Sequence, residues 1–377
     1  FDQCIRLVAP LLSALSGALL SAAFEPVGKW WVAPIAIAVH MYALSISSRK
    51  VLSSFIFGLT LNLIVLHWSS TFVGSIPWVI LAIGLSLFYL PLALVSKWGI
   101  TPYPLIYILL EEVRNRFPFG GFGWVRIAFT QADAPYAKVA AIGGATALSA
   151  AVVLIALVIF HISHRKFSLL PLLPFLIVLV PVNTSVVDST NVLMIQGNVP
   201  QMGLDFNSRA KAVFNNHFAR TQMEIANNPN VDFILWPENS VDVGPFLNTD
   251  VNASLNSIRK PLIIGAIVNK GNSLYNTSIL WGGELPDTYI KQHLTPFGEY
   301  IPLRSLARII SPLVDEVEDF SPGDAGKTFS IGDIRVAPVI CYELIDDDLC
   351  TGHDSLHSIP VWRPHVHGHE LHRFFAR

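Results

Sequence analysis

"FILWPENS", residues 233–240, runs large apolar side chains straight into Pro237 and Glu238. A short apolar run closed by a proline reads as a buried strand. A carboxylate just past such a strand sits at a sheet edge where solvent is restricted, a setting that suits a general base. An ordinary strand-ending glutamate looks the same. Around this stretch, "NVLMIQGNV", "PLIIGAIV", "LYNTSILWG" and "IRVAPVICYE" are further β-rich runs. They are interleaved with "SRAKAVFNNHFARTQMEIANN", whose apolar Ala212, Phe214, Phe218 and Met223 fall at helical spacing. Strands alternating with helical stretches predict a mixed, layered α/β domain over residues 188–349.

The preceding half of the chain differs in kind. Residues 1–187 carry 16 charged side chains and residues 188–377 carry 36, which sets the expected boundary. Only 14% of the 377 residues are charged, 52% are hydrophobic, and the mean hydropathy is +0.50. Stretches 7–24, 30–48, 139–160 and 167–187 are uncharged and near the ~20 residues that cross a bilayer. Run 51–96 is long enough for two more and breaks near residues 69–77, and 98–110 supplies a shorter seventh. The expectation is therefore an N-terminal multi-span α-helical membrane bundle of about seven spans. No cleavable leader is evident. Arg6, Arg49, Lys50, Lys97, Arg165 and Lys166 all fall on one side of the bundle, which the positive-inside rule makes cytoplasmic. Residues 188 onward then lie outside, although Arg114, Arg116 and Arg126 run against the rule. A net charge of −2 without a basic stripe excludes a nucleic-acid partner. Cys4, Cys341 and Cys350 are too few for a disulfide framework.

Two further stretches carry chemistry. In "YIKQHLTPFGEYIP", Lys291 lies in a β-like segment and Glu299 follows Pro-Phe-Gly. A lysine beside a reacting carbonyl stabilises an oxyanion, while a solvated strand lysine is the plainer alternative. In "VAPVICYELIDDDL", an apolar run delivers Cys341 into an acidic turn. A buried cysteine is often only a small core residue; reactivity requires a nearby base or cation.

A Glu at one strand end, a Lys in a middle segment and a Cys at a later strand end, in "WPEN", "KQHLTPFGEYIP" and "ICYE", follow an order that resembles the nitrilase superfamily. With the membrane half, and with "GLTLNLIVLHW", "FPFGGFGW" and "IQGNVPQ", the chain from residue 7 to about 349 resembles the apolipoprotein N-acyltransferase family. The resemblance implies an α-β-β-α sandwich with a Glu-Lys-Cys triad. Glu238 would be the base, Cys341 the nucleophile, and Lys291 the oxyanion stabiliser, helped by the backbone N–H of Tyr342. Glu299 and Glu343 would support them. It further implies a ping-pong transfer of an acyl chain from a phospholipid, through a cysteine thioester, to the α-amino group of a diacylglyceryl-cysteine apolipoprotein. The enzyme would be a monomer in the bacterial cytoplasmic membrane, its catalytic domain on the extracytoplasmic face, with no cofactor and no metal. Phe122, Trp124 and Arg126 would meet lipid at the interface, Arg126 at a phosphate.

Rival readings are a membrane-tethered amidase or nitrilase that passes the acyl group to water, an inactive truncated homologue, and a transporter. The spans hold few ionisable residues, against transport. Residues 350–377 form a His-rich tail without apolar periodicity, resembling a shifted reading frame. The expectation is a catalytic domain incomplete at this end and poorly active. His365, His367 and His369 alternate there as metal ligands on one strand face would, but no metal site is expected.

Overall fold

The computed structural model describes residues 2–165, 189–198, 211–283, 286–310, 314, 315, 317–346 and 349. The chain divides into two compact units, Phe1–Thr184 and Ser185–Arg377. The span expected at 167–187 and the tail at 350–377 lie outside the described residues.

The first unit is helical. Its helices are Asp2–Ser21, Val32–Ile46, Lys50–Val65, Ser75–Ser86 with a 3₁₀ continuation Leu87–Leu94, Tyr103–Arg116 and Ala140–Ser163. They share a core built around Leu20, Ile37, Phe57, Leu61, Leu92 and Tyr103. Among the described residues, two helices are long and apolar enough to cross a membrane, Ser75–Leu94 and Ala137–Ser163. Val8–Ser21, Val32–Ile46 and Lys50–Val65 are apolar but shorter. At 1.5 Å per residue they reach roughly 21–24 Å, short of a ~30 Å hydrocarbon core. Among the described residues, two of the seven expected spans therefore have the required length. The long uncharged run breaks where Gly74 takes a φ of +85°, open to glycine at little cost.

The helix expected over residues 98–110 is displaced along the chain. The helix starts at Tyr103 and continues through Glu111 and Glu112 to Arg116. Its buried charged side chains bond within the unit through some of their atoms. Arg114 donates to the Tyr89 hydroxyl (2.9 Å) and the Val125 carbonyl (2.6 Å), and Glu111 accepts the Ile127 N–H (2.9 Å). Arg126 is 1% exposed and donates to Glu112 Oε1 and Thr146 Oγ1, both at 2.8 Å. Its guanidinium thus pins the segment after Gly121 onto two helices rather than presenting itself at the surface, which corrects the expected headgroup contact. Phe122 and Trp124 pack partly buried against the core, with the Trp124 ring 5.5 Å from that of Trp68.

The second unit is built on a mixed sheet of five strands in the order β1 (Val192–Met194), β2 (Phe233–Leu235), β3 (Leu262–Lys270), β4 (Ser273–Trp281) and β5 (Asp287–Ile290). β1, β2 and β3 pair in parallel, while β3–β4 and β4–β5 pair antiparallel. Both faces are covered, so β2 reads as a continuous apolar run rather than an alternation. Ile234 and Trp236 point into a core shared with Phe214, Val251 and Leu255 from helices Ala212–Ile225 and Thr249–Ser257. Phe233 and Leu235 point the other way, against Phe329, Val336 and Ile340. Each such buried side chain contributes about 1.5–3 kcal/mol. On this second face lies a hairpin, β6 (Phe329–Ile331) with β7 (Ile334–Val336). The expected strand into Cys341 stops at Val336, because Pro338 offers no N–H to continue a ladder. Cys341 instead opens a 3₁₀ turn, Cys341–Ile345.

Candidate active site

Glu238 is placed by a turn that wraps one strand. β2 is held through Trp236 N–H to the Ile263 carbonyl (2.8 Å), and Pro237 then ends the ladder. Asn239 takes a φ of +55°, and Val241 N–H and Ser240 Oγ both return to the Gly265 carbonyl on β3 (3.0 and 3.1 Å). A Cβ at Gly265 would lie 2.5 Å from both Glu238 Cα and the Pro237 oxygen. Only glycine lets β3 approach this closely. The Glu238 side chain is buried; Oε1 accepts from Asn276 Nδ2 (2.7 Å), while Oε2 has no hydrogen-bond partner.

Lys291 follows β5 directly. Its N–H bonds the Asn276 carbonyl on β4 (2.9 Å), its carbonyl accepts from Gly323 N–H (2.8 Å), and the residue is 0% exposed. Nζ stands 2.7 Å from Glu299 Oε2, 3.3 Å from Thr295 Oγ1 and 3.8 Å from Glu238 Oε1. Burial pulls the lysine's pKa down, but Glu238, Glu299 and Cys341 together outweigh it and hold the pKa above its ordinary value. The ammonium is therefore kept charged in a dry place by opposite charges. Glu299 is positioned by the Thr295–Tyr300 turn, where Oε2 also accepts the Thr295 N–H (2.7 Å) and Glu299 N–H bonds the Thr295 carbonyl (2.9 Å).

Cys341 is half-buried, packs against the Phe233–Phe329 core, and has a φ of +50°. A cysteine in that region is strained by about 1–3 kcal/mol and persists only where its surroundings over-determine it. Glu343 supplies that. Its Oε2 accepts the Ile340 N–H (2.8 Å), and Oε1 accepts from Gln292 N–H (2.6 Å), Tyr289 Oη (2.8 Å) and His293 N–H (3.2 Å). One carboxylate thus fastens the cysteine turn to the chain segment beside Lys291. Burial raises the Glu343 pKa, with these four donors opposing the rise. Tyr342, the second residue of the turn, is buried, and burial pushes its phenol up.

The fold thus brings Glu238, Lys291 and Glu299 into one cluster and sets Cys341 within electrostatic reach of the lysine. Sequence reading missed Asn276. Its Nδ2 donates to Glu238 Oε1 and to Glu299 Oε1 (2.6 Å), so one amide holds both carboxylates around the lysine. The available signal was the polar run Asn276-Thr277-Ser278 in the middle of a strand otherwise read as apolar.

A helical unit rich in apolar helices, followed by a mixed-sheet unit with a buried carboxylate–lysine cluster beside a strained cysteine, defines a two-part α/β protein with a cysteine-centred site. Residues 16–158 match the family model described as the apolipoprotein N-acyltransferase N-terminal domain. The apolipoprotein N-acyltransferase of Mycolicibacterium smegmatis is 30% identical, over 92% of this chain and 67% of that one. That of Photobacterium profundum is 28% identical, over 89% and 72%. Among solved structures, Saccharomyces cerevisiae Nit3, a member of the nitrilase superfamily, aligns with 46% of this chain and 64% of its own at 18% identity, with a TM-score of 0.32, too loose a superposition to define a fold. The chain belongs to the apolipoprotein N-acyltransferase family.

Proposed function

We propose that this protein transfers a fatty acyl chain from a phospholipid to the N-terminal amino group of a diacylglyceryl-cysteine apolipoprotein, through a thioester on Cys341. The observation that carries the reading is a fully buried lysine held between two carboxylates and beside the strained cysteine. Glu238 takes the thiol proton on its unpartnered Oε2, and the thiolate attacks the acyl ester. The ammonium of Lys291 and the N–H of Tyr342 face the oxyanion of the tetrahedral adduct. Glu238 then returns its proton to the departing lysophospholipid alcohol. The amine of the acceptor repeats the sequence on the thioester. A covalent intermediate suits two lipid substrates that need not be bound together. Glu299, Asn276 and Glu343 hold the reacting groups in place. The sheet unit is taken as an α-β-β-α sandwich on the extracytoplasmic face, carried by a multi-span bundle in the bacterial cytoplasmic membrane. Both substrates are anchored in lipid, which gives the apolar helices their purpose.

The test is incubation of the full chain with phosphatidylethanolamine, followed by mass spectrometry. A hydroxylamine-sensitive increase of one acyl chain at Cys341, absent in Cys341→Ala, is expected. Labelling at Cys4 or Cys350 instead, or release of free fatty acid in place of transfer to a diacylglyceryl peptide, would overturn it.

A further inference from the structure

Aminolysis of a thioester by an ammonium releases one proton more than the Glu238 cycle can absorb. The acceptor enters as R–NH₃⁺, since an α-amine has an ordinary pKa of about 7.7–8.0. It leaves as an amide N–H, having lost two protons. One passes through Glu238 to the Cys341 thiolate. The other needs a separate way out, and Glu238 and Lys291 are both buried.

A partly exposed histidine–carboxylate pair is tied through Glu343 to both the lysine segment and the cysteine turn. His293 Nδ1 is paired with Asp346 Oδ2, and its side chain is 50% exposed. His293 is two residues beyond Lys291, and its backbone N–H bonds Glu343 Oε1. Asp346 immediately follows the Cys341–Ile345 turn and is fixed by its N–H to the Glu343 carbonyl (3.0 Å). Both members are thus fastened to the residue that ties the lysine segment to the cysteine turn. Among titratable groups, Asp346 pairs with the ring, Glu343 accepts the His293 backbone N–H, Lys291 lies two residues back in the same segment, and the Tyr342 phenol lies in the field of Asp346 and Tyr300. With Nδ1–H donated to a carboxylate, the neutral imidazole carries its lone pair on Nε2, the ring atom left to accept a proton.

We propose that the His293–Asp346 pair is the proton exit for the amine half-reaction, a role that rests on the acyl-transfer reading above. His293 Nε2 takes one proton from the acceptor ammonium. The freed nitrogen lone pair attacks the thioester carbon and the C–N bond forms. Collapse of the adduct breaks the C–S bond; the second nitrogen proton goes by Glu238 to the Cys341 sulfur, and the imidazolium gives its proton to water. Acylation deprotonates no ammonium and makes no use of the pair.

The experiment loads the full chain with acyl groups from phosphatidylethanolamine in detergent, removes donor, and chases the thioester with a synthetic diacylglyceryl-cysteine peptide from pH 6 to 9. The chain with its native residues is compared with His293→Asn and Asp346→Asn. Both variants are expected to load Cys341, which registers a folded site, and then to lose about 10²-fold in chase rate at pH 7, within the usual reach of general acid–base catalysis. The deficit shrinks above pH 8 as the amine loses its proton unaided. A peptide with an N-terminal aminooxy group, uncharged at neutral pH, should be acylated by the variants at the native rate. Equal chase rates and pH profiles in all three chains would overturn the proposal, and so would an aminooxy peptide as slow as the amine, which would make the pair merely structural. Failure of the native chain to form the thioester would remove the acyl-transfer reading itself, and this inference with it.

Discussion

Lys291→Met removes the cation of a buried site that keeps two carboxylates. At an effective dielectric near 20, Nζ–O separations of 2.7 and 3.8 Å correspond to gross attractions of about 6 and 4 kcal/mol. Most of that offsets the desolvation of three buried charges, so the cluster adds little net stability while it is intact. Taking away the ammonium leaves the desolvation uncompensated, which typically costs about 3–5 kcal/mol. Glu238 and Glu299 would then share a single Asn276 amide with no counter-charge. The expected outcome is a chain destabilised by that amount in guanidinium denaturation in mild detergent, followed by tryptophan fluorescence, with acyl transfer down by 10² or more from loss of oxyanion stabilisation. The double variant Lys291→Met/Glu299→Gln separates the two effects. Removing one stranded charge should recover about 2 kcal/mol or more of stability while transfer stays lost. A single variant as stable as the parent, or a double variant less stable than the single, would refute this account of the cluster.

Asn276→Ala should cost about 1–3 kcal/mol by stranding buried acceptors and slow thioester formation at Cys341, measured by the same denaturation and by acyl loading. Gly265→Ala places a methyl group 2.5 Å from Glu238 Cα; the turn must move, and a shift near 1 Å can cost about 10²-fold in rate, visible as slower acyl loading. Glu343→Gln turns an amide N–H₂ against either the Ile340 N–H or the Gln292 and His293 N–H groups, with an expected loss of about 1–3 kcal/mol and slower alkylation of Cys341. On pH, the folded pKa of Lys291 is raised above its ordinary 10.5, so its contribution is complete below that value and is lost as pH rises through the higher folded pKa. Denaturation midpoints of the native chain should therefore fall in that alkaline window, and Lys291→Met should lack this limb.

The sequence made some of this legible and concealed the rest for identifiable reasons. β2 could be read because a strand buried on both faces needs an unbroken apolar run, and Pro237 marks its end. Residues 336–341 misled because apolar content alone suggests a strand, whereas Pro338 breaks the ladder and leaves Cys341 in a left-handed turn. Asn276 was hidden because its purpose exists only once β4 lies between residues 238 and 299, far apart in the chain. Arg126 reads as an interfacial charge until a helix brings Glu112 beneath it. Helix ends in the first unit are set by local breaks such as Gly74, which a count of uncharged residues does not see.

The charge count of the cluster explains why two carboxylates accompany one lysine. Glu238, Lys291 and Glu299 together carry a formal charge of −1. In the proposed acylation the Cys341 proton moves to Glu238, the negative charge moves to sulfur and the total stays at −1. It remains so when the sulfur is acylated, since charge resides on the oxyanion and Glu238 then gives its proton to the leaving alcohol. No step of acylation asks the dry interior to take up or lose net charge, which is the change a low-dielectric site tolerates least. With a neutral partner in place of Glu299, the resting cluster would be neutral, and the incoming ammonium would make it positive. With −1 at rest, an ammonium is drawn in, while a neutral nucleophile such as water gains nothing from the field. The same charge that favours amine over water then holds the amine protonated and unreactive, so selection of the acceptor and the need for a proton exit at His293 have one origin.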